Sequence, residues 1–300
     1  MKNVYTLADL ESRELLDADA DKPARLAVIG HPIAHSASPG MHQAALDARS
    51  IAARYVRIDI EPGHVAEALS KMRDLGFIGC NVTVPHKIEA MGACDEIDPA
   101  ARQIGAVNTL RFGAHGVQGF NTDGPGFERA VEEVFDCRLR DLRVMVVGAG
   151  GGAGQAIATQ CALTGVPRLV LANRTLAKVD ELAARLGPLL PVLAMALDDP
   201  NLGLQCADCD LIVNTSSLGL QPGDPSILPA AYLNKRHLVY DTIYKPPLTP
   251  LLQAASQSGA RIANGLSMLI HQGALAFSLW FPGEDPLPEM RAAMAHLAGG

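Results

Sequence analysis

Lys87 and Asp123 are the residues of this 300-residue chain whose types and settings best suit proton transfer. Lys87 ends the run NVTVPHK at 81–87, and Asp123 ends the run GFNTD at 119–123. A lysine ammonium can donate a proton to a reacting oxygen, and a carboxylate can hold that lysine in place. We therefore predict a catalytic pair. Taken singly, an exposed helix position for Lys87 and the cap of a helix that begins near Pro125 for Asp123 are each more common than a catalytic role.

A second chemistry is indicated by the glycine-rich segment GAGGGAG at 148–154, which directly follows the apolar run VMVV at 144–147. A glycine-rich turn between a strand and a helix lets a dinucleotide pyrophosphate approach the backbone at the helix N-terminus. Such turns also arise for packing alone, so their context matters. The residues predicted to contact a dinucleotide cofactor are Gly148, Gly150, Gly151 and Gly152.

The end of the next predicted strand bears on the choice between NAD and NADP. An NAD enzyme places Asp or Glu there to bind the ribose hydroxyls. Here no acid is present, whereas Arg174 lies between Asn173 and Thr175, with Lys178 one helical turn further on. These donors and charges suit a 2′-phosphate, and we predict NADP as the cofactor. A solvated helix start with an incidental arginine is the alternative.

Ser36 and Ser38 lie in the run GHPIAHSASP at 30–39, just before a helix pattern that opens with Pro39. Two hydroxyls beside a helix N-terminus can bind a carboxylate. From this run alone, Ser38 as a simple N-cap residue is an equally good interpretation.

Neither the histidines nor the cysteines predict a metal site. Prolines interrupt any helical ligand face among the three histidines of 31–42, and the CxxC at 206–209 lacks the second pair that structural zinc requires. The six cysteines lack the spacing of a secreted disulfide framework, so we expect reduced thiols in a cytoplasmic protein.

Composition and charge narrow the choice of partner. Hydrophobic residues form 48% of the chain and aromatic residues only 4%, which favours an α/β fold with aliphatic packing. The net charge of -7, without a basic stripe, argues against nucleic acid and anionic membranes. No apolar run reaches the roughly 18 residues of a membrane span, and the acidic N-terminus lacks a signal-peptide core. We expect a small-molecule substrate and a monomer or homodimer.

Alternating apolar runs and helix patterns predict the scaffold. The predicted strands are 25–30, 54–60, 79–84, 107–111 and 117–120, followed by 143–148, 168–172, 192–196, 210–214 and 237–242. Helices are predicted over 39–49, 65–75, 152–164, 175–186 and 266–280, with a further helix opening at Pro85. The second series fits an open parallel sheet wound by helices, and the chain length favours two domains.

Nine segments, read in order, resemble the signatures of the shikimate dehydrogenase family. They are GHPIAHSASPGMH, NVTVPHK, GAVNTL, GFNTDGPGF, GAGGGAG, ANRTLAK, NTSSLGL, DTIYKPPLTPLL and NGLSMLIHQGALAFSLW. The resemblance implies an α/β protein of two domains: a substrate-binding domain of 1–123 plus 264–300, and a doubly wound Rossmann NADP domain of 124–263. It also implies the NADP-dependent, reversible reduction of 3-dehydroshikimate to shikimate, a step toward chorismate and the aromatic amino acids.

The resemblance assigns roles to individual residues. The implied catalytic pair is Lys87 and Asp123. The implied substrate-binding residues are Ser36, Ser38, Thr83, Asn108, Tyr244 and Gln272. The implied cofactor-binding residues are Asn173, Arg174, Thr175, Lys178, Thr215, Ser216, Gly265 and Met268.

Three departures from the family pattern leave room for another substrate. Gln43 stands where many members have Asn, the acidic segment before Arg25 has no usual counterpart, and NTSS at 214–217 varies the commoner Asn-Ala-Thr-Ser. One alternative is a paralogous quinate or aminoshikimate dehydrogenase. Another, from a different class, is a non-catalytic NADP-sensing regulator, which would be expected to lack Lys87 or Asp123. Both residues are present.

Overall fold

The computed structural model describes residues 2–298, which divide into two compact units. The first unit runs to Thr122 and resumes over Gln272–Ala295, and the second covers Asp123–His271 and resumes at His296. The sequence suggested a return crossing at 264. In the structure, residues 264–271 belong to the second unit.

The first unit contains a seven-stranded sheet within the described residues. Its strands are β1 Tyr5–Thr6, β2 Ala24–Gly30, β3 Arg54–Asp59, β4 Gly79–Val82, β5 Glu96–Ile97, β6 Thr109–Gly113 and β7 Gly116–Phe120. Its helices are α1 Arg13–Leu16, α2 Ser38–Ala48, α3 Val65–Asp74, α4 Lys87–Gly92 and α5 Pro99–Ile104, with a 3-10 turn at Leu7–Glu11. The strand order is β1-β3-β2-β4-β6-β7-β5.

Parallel pairing in this sheet determines where the loops of interest emerge. β2 pairs in parallel with both β3 and β4, whereas β6 is antiparallel to β4 and β7. Because neighbouring parallel strands end at the same edge of a sheet, the segments that follow β2 and β4 leave the sheet side by side.

The N-terminal segment 2–23, for which the sequence predicted no element, folds onto the first unit. β1 pairs with β3, and the side chains of Tyr5, Leu10 and Leu16 are buried. The buried guanidinium of Arg54 holds the segment: it donates to the Tyr5 hydroxyl at 3.0 Å and to the carbonyl oxygens of Leu16 at 3.0 Å and Lys22 at 2.6 Å.

The second unit is a doubly wound α/β domain, as predicted. Its strands are β8 Arg143–Val147, β9 Arg168–Asn173, β10 Val192–Ala196, β11 Leu211–Asn214, β12 Leu238–Asp241 and β13 Arg261–Ala263. Its helices are α6 Asp123–Phe135, α7 Gly152–Thr164, α8 Leu176–Leu186, α9 Leu202–Ala207 and α10 Pro250–Gln257, with 3-10 turns at Leu139–Asp141 and Ala230–Tyr232. All strands are parallel, in the order β10-β9-β8-β11-β12-β13, which is the Rossmann arrangement.

Two helices close the chain: α11 Leu266–Trp280, whose bounds match the prediction, and α12 Leu287–Ala298. Trp280 fastens the end of α11 to the first sheet by donating from Nε1 to the Leu110 carbonyl oxygen at 2.9 Å. Gly79 makes room for this ring, because a Cβ atom there would lie 1.9 Å from Trp280 Nε1. Within residues 2–298, the helices fall short of the length and apolarity needed to cross a membrane.

Candidate active site

Ser36 and Ser38 lie on the segment that joins β2 to α2. Ser38 is the first residue of α2, and its amide donates to Ser36 Oγ at 3.4 Å. Ala37 occupies the N-cap position, so the interpretation of Ser38 as a simple N-cap is wrong. The buried Ser38 side chain instead hydrogen-bonds with Tyr55.

Two residues of β3 fasten this segment. Arg57 donates to the Ser36 carbonyl oxygen from Nη2 at 2.7 Å and from Nε at 3.1 Å. Asp59 Oδ1 lies 2.6 Å from His31 Nδ1, and Asp59 Oδ2 accepts from the Ile33 amide at 3.3 Å. The segment is therefore held at its beginning and at Ser36, and His31 has a structural partner.

Thr83 and Lys87 follow the neighbouring strand β4. The Thr83 amide donates to the Ile29 carbonyl oxygen at 2.9 Å, which places it at the end of β2. Helix α4 begins at Lys87 and not at Pro85 as predicted, because a tight turn closes first: the His86 amide donates to the Thr83 carbonyl oxygen at 2.9 Å. Lys87 is half-buried in the first turn of α4.

A buried hydrogen-bond network links the strands behind these residues. The Tyr55 hydroxyl donates to Asn81 Oδ1 at 2.6 Å, and Asn81 Nδ2 donates to Thr109 Oγ1 at 3.1 Å. Thr109 Oγ1 donates to Asn108 Oδ1 at 3.0 Å. Asn108 Oδ1 also accepts from the Thr122 amide at 2.8 Å. Because each polar group is paired, the network can hold Asn108 rigidly.

The sequence assigned no role to Tyr55, Asn81, Thr109 or Thr122, the other members of this network. One signal was available: Asn81 is the one polar side chain in β4, and every residue of that strand is buried. Tyr55 also stacks on His42, with ring centroids 4.4 Å apart and an interplanar angle of 1°. Burial lowers the pKa of His42 to about 3, so this ring is neutral.

The remaining predicted substrate-side residues lie on other elements. Asp123 is buried and is the first residue of α6, where the helix dipole favours a carboxylate. Gln272 is half-buried on α11, next to Gly273, whose missing side chain lets α11 approach Met41 of α2. Tyr244 is half-buried after β12, and burial raises its pKa.

The predicted glycines form the turn between β8 and α7. Gly148 has φ +82°, a conformation that other residues rarely adopt. A Cβ atom on Gly150 would lie 2.9 Å from Asn173 Nδ2 and 3.1 Å from Lys178 Cβ, so the missing side chain of Gly150 is what lets these two residues approach the turn. Gly151 is the N-cap of α7, and both Gly151 and Gly152 are exposed at the helix N-terminus. This arrangement can accept a pyrophosphate.

A cavity of about 580 Å³ lies beside this turn in the second unit. Four predicted cofactor residues line it: Gly148, Asn173, Arg174 and Ser216. Arg174 is exposed, and β9 ends without a carboxylate, so the cavity fits a 2′-phosphate. Asp224 is among the lining residues to which the sequence assigned no role: its carboxylate accepts from the amides of Gln221 and Gly219, and these hydrogen bonds lower its pKa.

Thr215 and Ser216 are held by the strand ends around them. Thr215 Oγ1 donates to the Val147 carbonyl oxygen at 2.9 Å, and Ser216 Oγ donates to Asn214 Oδ1 at 2.8 Å. Asn214 in turn donates to the buried carboxyl group of Asp241 at 3.1 Å. Burial raises the pKa of Asp241 despite three hydrogen bonds that lower it.

Gly265 and Met268 lie at the start of α11. A Cβ atom on Gly265 would lie 2.0 Å from the Thr242 carbonyl oxygen, so only glycine fits this close approach. The Met268 amide donates to the Tyr240 hydroxyl at 3.2 Å. Neither residue lines the 580 Å³ cavity.

Thr175 follows Arg174 and is exposed, and its carbonyl oxygen accepts from Asn173 Nδ2 at 2.9 Å.

Three family models match the chain in order. The shikimate dehydrogenase substrate binding domain matches 28–110, the shikimate / quinate 5-dehydrogenase model matches 129–218, and the shikimate 5′-dehydrogenase C-terminal domain matches 265–295.

Individual relatives resemble the chain over most of its length. A shikimate dehydrogenase (NADP(+)) from Methanopyrus kandleri is 40% identical over 90% of this chain and 94% of its own, and one from Moorella thermoacetica is 42% identical over 92% and 95%. The crystal structure of shikimate 5-dehydrogenase from Thermus thermophilus in complex with NADP(H) and shikimate superposes with a TM-score of 0.82, at 34% identity over 91% of this chain and 99% of its own. The chain belongs to the shikimate dehydrogenase family.

Proposed function

We propose that the protein catalyses the NADP-dependent, reversible reduction of 3-dehydroshikimate to shikimate. The relatives named as NADP-dependent shikimate dehydrogenases support this reaction. The observation that carries the cofactor assignment is the cavity beside the glycine turn, where Arg174 and Asn173 stand at the end of β9 without an acidic residue. An enzyme that preferred NAD would place a carboxylate there.

NADPH supplies the hydride for the ketone carbon. The protein residues must stabilise and protonate the oxygen on which negative charge develops. Lys87 is the proposed donor, since an ammonium group offers both a proton and a positive charge. Asp123 is proposed to orient that lysine. In the reverse direction, the neutral Lys87 amine takes the proton from the shikimate hydroxyl.

Substrate selection is proposed to depend on residues of the first unit. Ser36 and Ser38 bind the ring carboxylate, with the start of α2 adding its dipole. Thr83, Asn108 and Gln272 bind the ring hydroxyls, and Tyr244 is proposed to face the substrate from the loop after β12. Two hydroxyl donors for a carboxylate favour an acid over a neutral cyclohexene.

A spectrophotometric comparison of substrates and cofactors tests the proposal. Shikimate, quinate and aminoshikimate are each oxidised with NADP and with NAD, and kcat/KM is compared. We expect shikimate with NADP to be preferred over each other pair, and by at least about tenfold over shikimate with NAD, which lacks the charge-assisted contact of the 2′-phosphate. A preference for quinate would assign the protein to the paralogous activity. Binding of NADP without turnover of any substrate would favour the non-catalytic regulator.

We also propose a cytoplasmic location and a monomer or homodimer with no nucleic-acid partner. All six cysteines are free thiols in the structure, which suits a reducing compartment. Size-exclusion chromatography with light scattering tests the oligomeric state.

A further inference from the structure

A cavity of about 330 Å³ lies in the first unit between the N-terminal segment and β3. Five of its ten lining residues belong to segment 2–22, and the others are Gln43 and residues 54–57. The family model for the substrate domain begins only at residue 28. Half of the lining therefore comes from a part of the chain that this model does not match. Ligand pockets begin at about 300 Å³, so the cavity suits a small molecule.

The cations that line this cavity differ in whether they are paired with a carboxylate. Four lining residues are cations, and three of them, Lys2, Lys22 and Arg54, each form an ion pair with an aspartate. Arg57 forms none with the described residues. Its acceptors are neutral oxygens, the carbonyl of Ser36 and the side-chain oxygen of Asn3.

The guanidinium of Arg57 has donors to spare. An arginine carries five N–H donors, and the three hydrogen bonds of Arg57 to protein oxygens leave two. A positive charge without a carboxylate partner, together with two unused N–H groups in a planar fork, suits a carboxylate ligand. Asp21, which also lines the cavity, disfavours a dianion by repulsion.

Part of the wall suits an apolar ligand body. Tyr5 and Val56 line the cavity, and both belong to the buried core of the first unit. We propose that this cavity binds a small organic monocarboxylate, with its carboxylate on Arg57 and its apolar body against Tyr5 and Val56. This site goes beyond the proposed function and does not depend on it.

Benzoate is a suitable probe, with neutral benzamide and inorganic phosphate as comparisons. Each is titrated into the full-length protein and followed by amide chemical shifts, with shikimate at saturation so that the carboxylate site at Ser36 and Ser38 is filled. The shifts that shikimate itself causes report on the proposed function separately. We expect benzoate to shift amides of residues 2–5, 21–22 and 54–57.

Arg57→Gln should weaken benzoate binding at least about tenfold, as expected for the loss of a charge-assisted contact. The matched control is Arg25→Gln: Arg25 lies on β2, donates to the Gly76 carbonyl oxygen at 2.7 Å and is not part of the cavity lining. The Arg25→Gln variant should bind benzoate with the affinity of the unaltered protein. Asn3→Phe puts a larger side chain at an exposed lining position of the N-terminal segment and should abolish binding while leaving the residues of β3 unchanged.

Four outcomes would overturn the proposal. They are benzoate shifts outside the cavity, equal binding of benzamide, tighter binding of phosphate than of benzoate, and unchanged benzoate affinity in Asn3→Phe or in folded Arg57→Gln.

Discussion

Arg57 and Ser36 are joined by two hydrogen bonds to one acceptor, with the Ser36 carbonyl oxygen 2.7 Å from Arg57 Nη2 and 3.1 Å from Nε. Because two donors of a planar group converge on this oxygen, they restrict the direction of the peptide as well as its position. Arg57 is thereby a positioning residue for the carboxylate site proposed at Ser36 and Ser38.

Arg57→Lys should raise KM for shikimate by roughly tenfold, with a much smaller change in kcat. A lysine keeps the charge but cannot present two fixed donors, and one lost charge-assisted bond is worth about 1.5 to 3 kcal/mol. Steady-state kinetics with saturating NADP measure the effect, with Arg25→Lys as the control. A fall in kcat at unchanged KM would contradict a positioning role.

Lys87→Ala should lower kcat by about 10²-fold or more, because general acid–base assistance of this size would be lost. KM should change less, since the carboxylate and hydroxyl ligands remain. The control is Lys235→Ala, which removes an exposed lysine from the second unit. Near-normal turnover in Lys87→Ala would remove this lysine from the mechanism.

Arg174→Ala should weaken NADP binding by about 10- to 100-fold, the equivalent of 1.5 to 3 kcal/mol for a charge-assisted bond. NAD, which lacks the 2′-phosphate, should bind almost unchanged. Titration of both cofactors by protein fluorescence gives the two dissociation constants, and Arg140→Ala at an exposed position of the same unit is the control. Equal weakening of both cofactors would place the discrimination elsewhere.

Arg54→Met should destabilise the protein by about 2 to 4 kcal/mol, because it leaves the partners of a buried guanidinium unpaired. These partners lie in the N-terminal segment and include the Tyr5 hydroxyl and the Leu16 carbonyl oxygen. Urea unfolding measures the loss, and limited proteolysis should show cleavage before residue 24. If the Arg54→Met variant kept the wild-type stability and its N-terminal segment still resisted the protease, Arg54 would not hold this segment.

Asp17 should contribute to a loss of stability in acid. Burial alone would raise its pKa, but hydrogen bonds from the Ala24 amide and from Arg54 and Arg13 lower it below the ordinary 3.8. A lowered folded-state pKa stabilises the protein above the unfolded value, and this contribution is lost as the pH falls through the folded value. Asp17→Asn should therefore reduce the dependence of the unfolding free energy on pH between about pH 5 and pH 2. An unchanged acid slope would exclude this contribution.

Some features of this protein follow from local sequence. The bounds of α7, β10 and α11 match their predicted ranges, because glycine turns and hydrophobic periodicity act over a few residues. The position of Arg174 at the end of β9 could also be predicted from the sequence, because the end of a strand depends on nearby residues. The roles of the motif residues Ser36, Lys87 and Asp123 are predictions that depend on residue type and on the family resemblance.

Other features required the tertiary structure. β1 has two residues and no periodicity, and it exists because it pairs with β3, more than 50 positions away. α4 begins at Lys87 because the turn from Thr83 to His86 closes first. The bond from Tyr55 to Asn81 and the two bonds from Arg57 to Ser36 join residues that no local pattern relates. Hydrophobic patterning predicts which face of a strand is buried, but only the packed sheet decides which polar groups meet behind it.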